Sequence, residues 1–106
     1  MNSKNLLTIV DQIHAYFEPL QIDPERELLY RHLKLTEEVG ELSNDLMSHL
    51  GHQRKEKLDQ FDPNNLGLEV IDVVFAALLV GKSAWVDLEQ AFEQKIKTMR
   101  TRFDLS

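Results

Sequence analysis

Lys34-Leu35-Thr36-Glu37-Glu38-Val39-Gly40-Glu41-Leu42 is the stretch that decides the fold. Leu35, Val39, Leu42 and, one turn further, Leu46 repeat at i, i+4, i+7 and i+11, the spacing of one buried helical stripe. Three carboxylates fall within five residues of that segment. Glu38 and Glu41 stand three apart, so on a helix their Cβ atoms lie about 5–6 Å from each other. At about 5 Å and an effective dielectric of about 20, Coulomb's law makes each like-charged pair unfavourable by on the order of 3 kcal/mol. A helix gains nothing from that crowding, so the spacing predicts a positive group among the acids.

Upstream, Asp23-Pro24-Glu25 is a helix start: a capping acid, a proline at the first helical position and an early acid. The helical pattern continues through Tyr30 and Leu33 to Leu50, with Gly51 as its terminator. At 1.5 Å per residue this helix is roughly 40 Å long, the spine of the domain. Before it, Leu6, Ile9, Val10, Ile13 and Phe17 keep helical spacing, Ser3 is placed to cap, and Pro19 stops the segment. Downstream, residues 52–65 are polar and link two antiparallel helices. Within them Gln53 to Asp59 forms a short exposed helix and Asp62-Pro63-Asn64-Asn65 a turn cluster. Leu66 to Val80 is apolar nearly all round; its length and the Gly81 stop favour a buried helix over the strand its β-branched residues would allow. Asp87 and Gln90 form a capping box that opens a last helix reaching about Phe103. Its expected inward residues are Ala91, Phe92, Ile96 and Met99, its outer face is Lys95, Lys97, Arg100 and Arg102, and Trp85 is expected to pack as a staple at its start. The expectation is an all-α bundle of four main helices, one domain over residues 1–106.

The chain has 106 residues and a formal net charge of −6, with a pI near 5.1. That balance excludes a general nucleic-acid binder, which shows a basic face, and opposes binding to anionic membrane surfaces. There is no cysteine, hence no disulfide and no thiolate metal site. No basic-then-apolar leader opens the sequence, and the longest apolar run, Val73 to Val80, is far short of a membrane span. A cytoplasmic protein is expected.

Glu69 and Asp72 are the charged breaks in the apolar helix, again three apart and so on one face. Charges there need a partner or a metal. One possibility is pairing with Lys or Arg of the last helix. The other is that they face Glu38 and Glu41 across a helix pair. Four converging carboxylates would make an all-oxygen cation site, which favours Mg²⁺ or Mn²⁺ over zinc. A di-iron site would want Glu-x-x-His pairs, and neither acidic pair has a His at that place. An EF-hand needs its acids in a loop rather than on helices.

Glu37-Glu38-Val39-Gly40-Glu41, followed after a gap by Glu69-Val70-Ile71-Asp72, resembles the E-E-x-x-E … E-x-x-D signature of the MazG-like, all-α nucleoside triphosphate pyrophosphatases. Lys34-Leu35 before it, Leu42 after it, and Lys95 with Arg102-Phe103 near the end also fit, so the resemblance covers about Leu28 to Phe103. It implies Mg²⁺ held by Glu38, Glu41, Glu69 and Asp72, and hydrolysis of the α–β bond of a (deoxy)nucleoside triphosphate to monophosphate and pyrophosphate, with clearance of unwanted nucleotides as a role. It also implies a homodimer or a dimer of dimers. Glu37 and Glu38 are the catalytic candidates: a metal-bound water attacks phosphorus in line, and Glu37 would hold a second metal or orient that water. Lys95 and Arg102, with Arg100 beside them, are candidates to hold the triphosphate. The family often has Asn two places before that Lys, where this chain has Glu93. His14 and Phe17 lie on the helix that borders the base pocket in this family, and are the candidates to meet a nucleobase.

The rival expectation is a non-catalytic helical interaction module whose acidic stripe docks a basic protein partner, with Glu69 and Asp72 paired internally and no divalent cation bound.

Overall fold

A computed structural model describes residues 3–20 and 23–106, and every element in it is helical. The order is α1 (Ser3–Phe17), a 3₁₀ turn (Glu18–Leu20), α2 (Pro24–His49), α3 (Lys55–Gln60), α4 (Pro63–Ser83) and α5 (Leu88–Arg102). The capping role expected of Ser3 lies outside the described side chains. None of these helices is long and apolar enough to cross a membrane.

The helix starts follow the capping chemistry. Asp23 takes the Glu25 N–H at 3.0 Å ahead of Pro24. Asp62 takes the Asn64 N–H at 2.9 Å ahead of Pro63. Asp87 takes the Gln90 N–H at 3.0 Å. Each carboxylate satisfies one of the donors a helix start leaves unpaired. Residues 62–65 are therefore not a free turn but the start of α4, three residues earlier than the apolar run suggests. At the other end of α2, Gly51 adopts φ +78 and His52 N–H reaches back to the Met47 carbonyl at 2.8 Å, the left-handed closure glycine permits.

Gly81 does not stop α4, which runs on to Ser83. Its missing side chain serves packing instead. A Cβ there would stand 2.7 Å from Leu88 Cδ2, so glycine lets the start of α5 close onto α4. The left-handed position after α4 falls to Trp85 at φ 62. That ring is 87% exposed and does not act as the expected staple.

α2 and α4 form the dominant helix pair, α1 lies on α4, and α5 packs substantially on α4 alone. The pair is antiparallel: Ser83 of α4 bonds Glu27 near the start of α2, while Asp45 near the end of α2 lies close enough to act on Glu69. Among the described residues the buried apolar ones are few, Val10, Ala76 and Leu79.

Two expectations about facing are overturned. On α2, Leu35 and Leu42 are half-buried while Val39 and Leu46 are exposed. The side turned to α4 carries Glu27, Arg31, Glu38, Asp45 and Ser48 instead, all buried or half-buried. On α5, Ala91, Phe92 and Ile96 are exposed and Met99 is half-buried. Periodicity marks which side of a helix is apolar; it does not say which neighbour meets that side.

Candidate functional site

The α2–α4 seam brings three of the four expected acids together. One carboxylate oxygen each of Glu38, Glu41 and Glu69 lies within 4.8 Å of the others. Glu38 and Glu41 come from adjacent turns of α2, and Glu69 from the middle of the first half of α4. Asp72, one turn along α4, stands beside the trio rather than in it. It lines a cavity of about 190 Å³ with Glu38, Arg31, Lys34 and the apolar Phe75, Ala76 and Leu79.

The electrostatics are those of an unbalanced site. Glu38 is pushed above the ordinary carboxylate range by desolvation first, then by Glu41 and Asp72. Glu69 is pushed up by desolvation, then by Asp45, Glu41, Asp72 and Glu38. Among the described residues none of Glu38, Glu41, Glu69 or Asp72 has an ion-pair partner. Glu38 Oε2 and Glu69 Oε2 are buried and accept no hydrogen bond from the described residues, and Arg31 Nε and His14 Nδ1, beside Glu27, are buried donors or acceptors equally without one. Buried acceptors are nearly always satisfied, so these two oxygens ask for a positive ligand. A hard divalent cation such as Mg²⁺ fits this donor set: all oxygen, at least one from each of two helices, with anionic excess.

Glu37 is not among the converging oxygens. It accepts a hydrogen bond from Lys34 Nζ at 3.2 Å, a contact that raises the lysine's pKa. Both side chains are well exposed.

Beyond the cavity, towards the start of α2, lies a second buried polar cluster. Glu27 Oε1 has Arg31 Nε at 4.0 Å, His14 Nδ1 at 3.6 Å and the Ser83 hydroxyl donating at 3.3 Å. Arg31 is 7% exposed. Its guanidinium lies 4.8 Å from the centre of the Phe17 ring and 5.9 Å from that of Tyr30. Phe17, Leu20, Tyr30 and Arg31 line an open apolar hollow of about 230 Å³ with Asp23, Arg26 and Glu27. His14 thus stands beside Glu27, and Phe17 forms a wall of the hollow.

Lys95 and Arg102 are exposed on α5. Neither lines the cavity beside Glu38, and among the described residues neither pairs with an acid. Within one chain these cations and the acids are not brought together.

Three residues at the site escape sequence reading. Arg31 borders both the acidic cavity and the aromatic hollow, Tyr30 lines the hollow, and Asp45 adds its charge at Glu69. For Asp45 a signal exists: it lies four residues after Glu41, so it continues the same helical face. Arg31 likewise lies seven before Glu38, two turns back on that face.

Compared with models of known protein families, with curated proteins and with solved structures, the chain matches none.

Proposed function

We propose that the protein is a Mg²⁺-dependent nucleoside triphosphate pyrophosphohydrolase that converts a (deoxy)nucleoside triphosphate to the monophosphate and pyrophosphate. One observation carries this reading: the convergence of Glu38, Glu41 and Glu69, with buried oxygens on Glu38 and Glu69 that no group among the described residues satisfies. The MazG-like motif resemblance adds the reaction class. It also adds assembly as a dimer or dimer of dimers.

Glu38, Glu41 and Glu69 would hold the cation, with Asp72 at its margin. A bound Mg²⁺ (or Mn²⁺) offsets phosphate charge and lowers the pKa of a coordinated water. In the balanced reaction a water oxygen bonds to the α-phosphorus, the bond from that phosphorus to the α–β bridging oxygen breaks, and pyrophosphate leaves. Glu38 would act in catalysis by holding that cation beside the attacking water, whose proton passes to solvent. Arg31 and Lys34 border the same cavity and offer cations to phosphate oxygens. The hollow walled by Phe17 and Tyr30 offers an apolar, aromatic surface for a base.

A non-catalytic acidic module docking a basic partner is the second reading. In its internally paired form it would place cations against Glu69 and Asp72, and the chain has none there among the described residues.

The test is product analysis of a panel of nucleoside and deoxynucleoside triphosphates with Mg²⁺. Monophosphate and pyrophosphate, lost in Glu38→Gln, are expected. Diphosphate and phosphate would keep the metal centre and move the cleaved bond. No turnover with any nucleotide would overturn the enzymatic reading.

A further inference from the structure

Arg31 is the one charged side chain that the described part of the chain buries. Its Nε is buried and bonds no described group. Glu27 Oε1 stands at 4.0 Å, beyond hydrogen-bond reach. The rings of Phe17 and Tyr30 lie 4.8 and 5.9 Å from the guanidinium carbon. Ring faces offset part of the charge but give an N–H no lone pair. A buried donor left unmade is costly, so this planar fork of donors asks for acceptors from outside the chain.

The hollow beside it narrows their chemistry. Phe17, Leu20 and Tyr30 are apolar walls, and the four charges among the lining residues, Asp23, Arg26, Glu27 and Arg31, cancel. An anion gains no net charge from such a set. A flat, neutral ring that carries acceptors gains stacking surface and the fork together. The nucleobases differ in how they meet a fork. Two parallel N–H groups need two adjacent acceptors. Guanine presents N7 and O6, with N1–H next to them; cytosine presents O2 and N3, with its amine next. Adenine, thymine and uracil alternate acceptor and donor along the edge that carries their exocyclic groups. Beside the fork stands a carboxylate. The contacts of Glu27 with Arg31, His14 and Ser83 all fall on Oε1, which leaves Oε2 for a ligand's N–H.

We propose that the hollow selects guanine or cytosine over adenine, thymine and uracil. Arg31 donates to the two adjacent acceptors and Glu27 accepts from the N–H beside them. Specificity is then a second task of a cluster that also joins the helices, and its ties to α1 and α4 hold the reading groups in place before the base arrives. Arg31 also lines the cavity beside Glu38, so a base read here lies next to the acidic centre. That the hollow takes a base at all rests on the nucleotide reading above; which base it takes rests on the order of donors and acceptors around Arg31.

The test needs neither metal nor turnover. In chelator, the Arg31 Nε–H signal of ¹⁵N-labelled wild-type protein should move with deoxyguanosine or deoxycytidine at concentrations about tenfold or more below those required of deoxyadenosine or thymidine, the scale of one bidentate contact. Deoxyinosine keeps N7, O6 and N1–H and should match deoxyguanosine. The 7-deaza analogue of deoxyguanosine and the 3-deaza analogue of deoxycytidine each lack one of the adjacent acceptors and should fall to the level of deoxyadenosine. Arg31→Lys keeps the charge without the fork and should level all four nucleosides; if it fails to fold, the deaza analogues decide on the wild type alone. Equal affinities, a preference for deoxyadenosine or thymidine, or deaza analogues that bind like their parents would overturn the proposal. So would inorganic phosphate moving the signal at lower concentration than any nucleoside, which would make the hollow an anion site. Nucleosides ranked as stated, in a protein that cleaves no triphosphate, would sink the hydrolase and leave the base reading standing. Triphosphates cleaved with one kcat/KM whatever their base would do the reverse.

Discussion

The α2–α4 pair buries two polar clusters, and the chain treats them in opposite ways. Around Glu27 it supplies a guanidinium, an imidazole and a hydroxyl, drawn from α1, α2 and α4. Around Glu38 and Glu69, on the same pair, it supplies more carboxylates, with Arg31 and Lys34 lining the cavity beside Glu38 but forming no ion pair with it among the described residues. The first cluster shows what a structural carboxylate looks like in this protein. Among the described residues the second has no ion-pair partner, and the proposed cation site builds on that difference. The contrast separates a scaffold from a site more securely than the presence of acids does, since exposed acidic groups on helices are common.

The largest expected effect is on turnover. Glu38→Gln should lower it at least a hundredfold, the scale of losing one preorganised electrostatic group, while circular dichroism and melting without metal stay at or above wild type because one repelling charge is gone. Parallel losses of activity and folding would place Glu38 in the scaffold with Glu27 and erase the contrast.

Next comes the scaffold cluster itself. Arg31→Met keeps much of the side-chain volume but leaves Glu27 with His14 and Ser83 alone. Removing one partner of a buried pair costs about 3 kcal/mol, and a domain of this size loses roughly 4–8 °C in Tm per kcal/mol. A drop of roughly 12 °C or more is expected, the same with Mg²⁺ or chelator. A melting point equal to wild type would mean that Glu27 does not depend on its guanidinium.

Magnesium should act on the other cluster only. At a free concentration a hundred times Kd, a ligand that binds the folded state alone stabilises it by about 2.7 kcal/mol. Wild type should show that rise in thermal unfolding, and Glu69→Gln should show little of it. Equal shifts in both proteins would mean the cation binds elsewhere.

The same contrast shows what could be read from the sequence. Helix identities and caps were legible because their causes are local. Asp23-Pro24, Asp87 with Gln90, and Gly51 each act within four residues. Asp62-Pro63 carries the same signature as Asp23-Pro24, yet among two asparagines it reads equally as a turn, and only the packed start of α4 decides. The meeting of Glu38, Glu41 and Glu69 was one of two outcomes that i, i+3 spacing on two helices left open, and the motif resemblance pointed to it. The stepping aside of Asp72 was not, because it depends on how α4 is rotated about its axis. Nor was the outward turn of Val39 and Leu46, since a helix repeat does not specify whether the covering neighbour belongs to the same chain. Arg31 was missed for a related reason: a lone arginine on a charged helix gives no sign that Phe17 and Tyr30 will enclose it. Gly81 was read as a stop because glycine's backbone freedom is the commoner reason for it near a helix end; here the close approach of Leu88 is the reason.

The smallest expected effect is on the pH dependence of the metal-free protein, and it probes the acidic cluster directly. Glu38 and Glu69 both bind their protons more tightly folded than their ordinary value of 4.5 implies for the unfolded chain. Between 4.5 and the raised folded values the native state therefore holds more protons than the unfolded state, so stability must fall as pH rises. The contribution is fully present below 4.5 and is lost as pH climbs through the folded values. Glu41, Asp45 and Asp72 face these two groups and push the same way. Lys34 opposes them at Glu38, while Glu37 offsets that lysine. Melting in chelator should therefore decline from mildly acidic pH towards neutrality. Saturating Mg²⁺ should flatten or reverse the decline, because the cation replaces the protons and binds better once they have left. The substitution Glu38→Gln, Glu69→Gln should remove most of the slope while leaving the Glu27 cluster untouched. A slope that persists in that double variant would mean that the acids at the α2–α4 seam carry no unusual charge burden.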